Sequence, residues 1–123
     1  MKKEEFGFKK LKVWQKALEF AKKIILITEA LDTKRKHYRL IEQLESSSCS
    51  IAQNIAEGKG RYSNKEYIHF LYISRGSLYE TITLLNVFCH NNWINKTQLD
   101  ELENDGIEIA RMIKGLINSL YES

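Results

Sequence analysis

Proline is absent from this chain. Nothing therefore locks φ or removes a backbone donor inside a helix, and long helices joined by short turns are favoured. Cysteine is scarce, with Cys49 and Cys89 the whole complement. They form no CxxC or Cys/His cluster, which argues against a disulfide framework or a zinc site and for reduced, buried thiols. Long apolar runs are missing too: the longest aliphatic stretch is Ile24 to Ile27, far short of the ~20 residues of a membrane span. The amino terminus is basic, but Glu4, Glu5 and scattered lysines interrupt any signal-peptide core. A cytoplasmic protein without membrane contact is expected.

The 123 residues suit one domain, 1–123, able to bury roughly two-thirds of its unfolded surface. A charged fraction of 28% and a hydrophobic fraction of 43% are those of a soluble globular protein. The net charge of +3 conceals an asymmetry. Residues 1–39 carry ten Lys and two Arg against four Glu and one Asp, a balance of +7. Residues 40–123 carry seven basic against eleven acidic residues, a balance of −4. A basic first third attracts nucleic acid or an acidic partner.

Apolar residues recur at helical spacing in four segments, predicting helices at about 11–31, 39–58, 64–90 and 97–121. In the first, Leu11, Trp14, Leu18, Ala21, Ile25 and Thr28 predict one buried stripe, and Val13, Ala17, Phe20, Ile24 and Ile27 form a second apolar face. A lone bundle needs only one stripe, so the second suggests a partner. Leu40, Leu44, Ser47, Ser48, Ile51 and Ile55 mark the inner side of the second helix, with Gly58 or Gly60 placed to close it in a left-handed conformation. Ser63-Asn64-Lys65-Glu66 reads as a capping box, and Asn95 or Thr97 as the cap of the fourth helix. Gly106 falls on the seam of that helix, which is expected to run unbroken. Short loops and no strand pattern predict an all-α, antiparallel, up-down-up-down four-helix bundle. A tandem of helical hairpins is the alternative, though no internal repeat is visible.

Catalytic and metal chemistry find little support. Glu66-x-x-His69 has the spacing of a di-iron ligand pair, but His37 and His90 lack the second glutamate. Arg61 and His69 stand too far apart, across a helix start, for acid–base work on RNA. No enzyme activity, metal or cofactor is expected. The lysines carry more: Lys9, Lys12, Lys16 and Lys23 follow three-, four- and seven-residue steps, a row roughly 20 Å long suited to phosphates, with Lys22 on its flank. The alternative is a solvated face with Glu19 pairing Lys23. Lys34, Arg35 and Lys36 form a second basic knot. Between Ser46 and Gly58 small and polar residues replace the leucines of an ordinary bundle helix. Ser50, Asn54 and Glu57 share a side of the second helix, and Ser74, Arg75, Gly76, Ser77 and Glu80 of the third can meet them. A structural polar layer of Ser50, Asn54, Glu57, Ser77 and Glu80, fixing helix register, is the expectation.

Leu11-Lys12-Val13-Trp14-Gln15-Lys16-Ala17, Leu40-x-x-Gln43-Leu44, Ser50-Ile51-x-x-Asn54-Ile55-Ala56-Glu57-Gly58 and Arg75-Gly76-Ser77-Leu78-x-Glu80 together resemble a known family. It comprises the four-helix-bundle proteins encoded in 23S rRNA intervening sequences, relatives of the accessory variability protein of diversity-generating retroelements. The resemblance spans essentially the whole chain. It implies a four-helix protomer in a ring-like homopentamer, no catalytic residues, and partners that include RNA or a protein such as a reverse transcriptase. It also implies that Asn54, Glu57, Gly58, Gly76, Ser77 and Glu80 serve structure and assembly. Two departures stand out: Glu45-Ser46 where relatives often carry a basic pair, and Ala52 where they often carry proline. A homo-oligomeric, RNA-associated accessory protein is the first expectation of function, and a self-assembling protein-interaction scaffold the second.

Overall fold

The computed structural model describes residues 4–31 and 37–123. A 3-10 turn at Gly7–Lys10 leads into α1 (Lys12–Glu29), followed by α2 (Tyr38–Lys59), α3 (Asn64–His90) and α4 (Lys96–Glu122). The boundaries follow local chemistry. Ser63 Oγ accepts the Glu66 amide at 3.2 Å to start α3. The complete reciprocal box lies one helix later, where Asn95 Oδ1 accepts from Gln98 N at 2.8 Å and Gln98 Oε1 accepts from Asn95 N at 2.9 Å. Asn92 reverses the chain between α3 and α4 with φ of 63°, a conformation asparagine tolerates better than most residues.

Successive helices run antiparallel and each packs on its chain neighbours, with α4 closing on α1, so the order is up-down-up-down. The pairing of α2 with α3 is the most extensive. Phe20, Ile24, Leu44, Ile51, Leu71, Leu85, Phe88 and Ile109 are fully buried in one core drawn from all four helices. Burial of each such side chain contributes about 1.5–3 kcal/mol. Among the described residues no helix is long and apolar enough to cross a membrane.

Two expectations from the sequence require correction. The buried face of α1 is the second stripe, through Val13, Ala17, Phe20 and Ile24, joined by Ala21 and Thr28. The stripe expected to be buried is left at the edge: Leu11, Trp14 and Ile25 are half-buried and Leu18 is 50% exposed. Both stripes satisfy the helical period, and only the azimuth of α2 and α4 around α1 selects between them. The second correction concerns Gly58, which does not end α2 in a left-handed turn, since no glycine among the described residues has positive φ. Gly58 is buried where α3 crosses α2, and a Cβ there would lie 2.9 Å from Phe70 Cβ and 3.2 Å from the Tyr67 carbonyl oxygen. Its role is close helix approach. Gly106 serves α4 likewise, facing Ile82 within an unbroken helix.

Candidate functional site

The lysine row is divided by the fold. Lys9 belongs to the 3-10 turn, where its carbonyl accepts from Gln15 Nε2 at 2.7 Å, and Lys12 begins α1 in solvent. Lys16 and Lys23 instead face the acidic side of α4. Lys16 Nζ lies 3.2 Å from Glu108, and Lys23 Nζ lies 2.9 Å from Asp105 and 3.5 Å from Glu101. The bond to Asp105 is the largest cause of a raised Lys23 pKa. Lys23 therefore meets Asp105 across the bundle, and no Glu19–Lys23 ion pair forms. Lys22 sits in solvent between Leu18 and Leu26, at four-residue steps on the outer side of α1. Lys34, Arg35 and Lys36 lie outside the described residues. Two of the four lysines in the row expected on α1 are thus paired with carboxylates of α4 within the protomer.

Small hydroxyls do join α2 to α3. Ser50 Oγ and Ser77 Oγ are 2.8 Å apart, and Asn54 Nδ2 donates to the Ser50 carbonyl at 2.8 Å and to Ser50 Oγ at 2.9 Å. Deeper in the same seam, Ser74 Oγ donates to the Ile51 carbonyl and Thr81 Oγ1 to Ser47 Oγ, both at 2.8 Å. Each hydroxyl thus finds a partner without water, as burial requires. Glu57 and Glu80 do not belong to this ladder. Glu57 takes Arg61 at 2.6 Å on the surface, and Glu80 is exposed on the rim of a polar groove with Arg39 and Gln43. Gly76 is exposed with no atom within 4 Å of a Cβ position, and Arg75 turns the other way, toward α4. His69 lies beside Phe70 while Arg61 covers the same ring at 4.6 Å and is committed to Glu57.

The side of α3 that receives Arg75 holds a groove that sequence reasoning missed. It is an open hollow of about 710 Å³ between α3 and α4. Its floor is Leu78, Ile82, Ala110 and Ile117, with Gly106 filled over by the Ile82 side chain. Its walls are Tyr72, Arg75 and Tyr79 from α3 and Ile107, Arg111 and Lys114 from α4. The Arg75 guanidinium stands 5.8 Å from the Tyr72 ring and 5.4 Å from the Tyr79 ring, a spacing suited to cation–π attraction. Tyr72 also borders a second hollow with Lys65, His69 and Tyr121, extending the surface toward the start of α3. The Tyr121 pKa is raised, chiefly by its hydroxyl-to-hydroxyl interaction with Tyr72. No Asp or Glu lines either hollow. The signal available in the sequence was Tyr72, Arg75 and Tyr79 at three- and four-residue steps, matched by Ile107, Arg111 and Lys114. Each alone is an ordinary helix face.

No curated protein matches this sequence. Among solved structures, the chain is similar to a crystal structure of a protein of unknown function from the S23 ribosomal protein family of Bacteroides thetaiotaomicron. The two are 28% identical with a TM-score of 0.79, and the match covers 85% of this chain and 97% of the other. The family model described as 23S rRNA-intervening sequence protein matches residues 9–115. With that match across nearly the whole bundle, and with the fold shared by the S23 family member, this chain belongs to the 23S rRNA-intervening sequence protein family.

Proposed function

We propose that this protein is a non-enzymatic, homo-oligomeric accessory protein that associates with RNA. The observation that carries the reading is the groove between α3 and α4, which gathers Arg75, Arg111 and Lys114 with no carboxylate among its lining residues. Such a surface favours a polyanion, and each phosphate it neutralises releases counterions. The family match agrees with this choice of polyanion. The paired Lys16 and Lys23 contribute little, and the groove takes over the role expected of the α1 row. Binding of a structured RNA, measured at about 50 and 200 mM salt, tests the reading. Affinity should fall steeply with salt. No binding at the lower concentration, or a flat salt response, overturns it.

A second reading, a self-assembling scaffold that takes no nucleic acid, rests on the outer side of α1. Leu18 and Leu26 are 50% and 58% exposed there, on one face and unmatched within the protomer. Light scattering decides the assembly, with a ring of five expected from the family resemblance. An oligomer that leaves RNA free at low salt selects the scaffold.

A further inference from the structure

We infer that the α3–α4 groove is a single-stranded RNA site in which unpaired bases stack on Tyr72 and Tyr79 while Arg111 and Lys114 meet the phosphates. The inference rests on the RNA-associated reading and specifies its ligand.

The groove differs from a plain basic patch in its exposed aromatic rings. Tyr72 and Tyr79 are 46% and 56% exposed, about two helical turns apart, with Arg75 between them within reach of both rings. Seven-residue spacing puts the two rings on one side of α3, and together they offer a base π-faces about 10 Å apart along the helix. A duplex hides its base faces inside its own stack and presents phosphates, 2′-hydroxyls and base edges to such a surface. An unpaired strand presents both bases and phosphates, and stacking on aromatic side chains is the usual means of holding it without sequence preference. The apolar floor, which a duplex would leave in water, is covered by a splayed base. The strand continues past Tyr72 toward Lys65 and His69, where the second hollow adds a cation and an aromatic-like ring with no acidic neighbour in its lining.

The test uses the intact protein and fluorescence anisotropy with two labelled probes of about twelve nucleotides, an oligouridine and a self-complementary RNA duplex. The oligouridine should bind at least about tenfold more tightly than the duplex. Tyr72→Ala and Tyr79→Ala should each weaken oligouridine binding about five- to a hundredfold, and Tyr72→Phe and Tyr79→Phe, which keep the ring, should restore it. Arg111→Gln with Lys114→Gln should weaken both probes and flatten the salt dependence. Circular dichroism and light scattering on each variant establish that helix content and assembly are unchanged. Equal binding of the two probes with silent tyrosine variants overturns the single-strand site and leaves the RNA reading standing. Binding of neither probe overturns both. Tyrosine variants that lose their oligomeric mass show the groove to be a contact between copies and overturn the inference.

Discussion

Lys23 of α1 and Asp105 of α4 sit 2.9 Å apart although 82 residues separate them in the chain. With Glu101 on the same ammonium and Glu108 on Lys16, they stitch the basic first third of the sequence to its acidic remainder. The charge asymmetry that suggested a polyanion partner is thus partly an account of the bundle's own seam. Partly exposed pairs of this kind contribute only about 0.2–1 kcal/mol each. They leave the Lys16 and Lys23 side chains 53% and 37% exposed, each with a carboxylate of α4 beside it.

The first prediction concerns alkaline pH. Lys23 is held above its ordinary range by the Asp105 hydrogen bond, and Tyr67 is raised by burial. In both cases the folded chain keeps a proton that the unfolded chain has lost, so stability falls as pH rises through that window. The contribution is complete below about pH 10, near the unfolded values of the two groups. Urea midpoints should hold from pH 7 to about 10 and drop above it, and Lys23→Met with Tyr67→Phe should flatten the drop.

Tyr67 yields a second outcome at neutral pH. Its hydroxyl is buried without a hydrogen-bond partner among the described residues. Removing an unsatisfied polar atom while keeping the ring should not destabilise the fold. Tyr67→Phe is expected to be neutral or up to about 1 kcal/mol more stable by urea unfolding. A loss of stability would mean that the hydroxyl is satisfied in solution.

Two glycines should respond with opposite sign. Gly58→Ala drives a methyl to 2.9 Å from Phe70 Cβ and Tyr67 Cδ1, an overpacking expected to cost about 1–3 kcal/mol. Gly115 lies in the exposed interior of α4 with nothing within 4 Å of a Cβ. Gly115→Ala should therefore stabilise by about 0.5–1 kcal/mol through helix propensity. Thermal melts of the two variants against the parent check both signs in one experiment.

The hydroxyl ladder should show coupling. Thr81 Oγ1 is 2.8 Å from Ser47 Oγ and from the Ser77 carbonyl oxygen. Thr81→Val, nearly isosteric, should cost about 1–2 kcal/mol because the buried interhelical contact is lost and Ser47 keeps only its longer bond to the Leu44 carbonyl at 3.2 Å. Ser47→Ala should cost less, because Thr81 retains the Ser77 carbonyl. In the double variant the two costs should fall short of additivity by about 0.5–1 kcal/mol, which a double-mutant cycle in urea measures.

Local chemistry in the chain was enough to place the helices. The missing proline, the three- and four-residue apolar steps and the polar breaks at Gly60–Ser63 and Asn91–Asn95 set four helices within a few residues of their observed ends. These features depend on neighbours within one or two turns, so they are readable without knowing the partner helix. The hydroxyl contact between Ser50 and Ser77 was readable for a related reason: small polar residues at core spacing need partners, and α3 supplied matching ones.

Direction around each helix was decided only by assembly. Two apolar faces on α1 obeyed the same period, and the packing of α2 and α4 chose the one through Phe20 and Ile24. The same azimuth brought Lys16 and Lys23 to α4, left Glu57 and Glu80 outside the polar ladder, and set Tyr72, Arg75 and Tyr79 opposite Arg111 and Lys114. Helical period is a property of one segment, whereas neutralising a charge or building a groove requires two segments at a given rotation. That rotation is set by burial summed over the whole core, which is why the helices were legible in the chain and the α3–α4 groove was not.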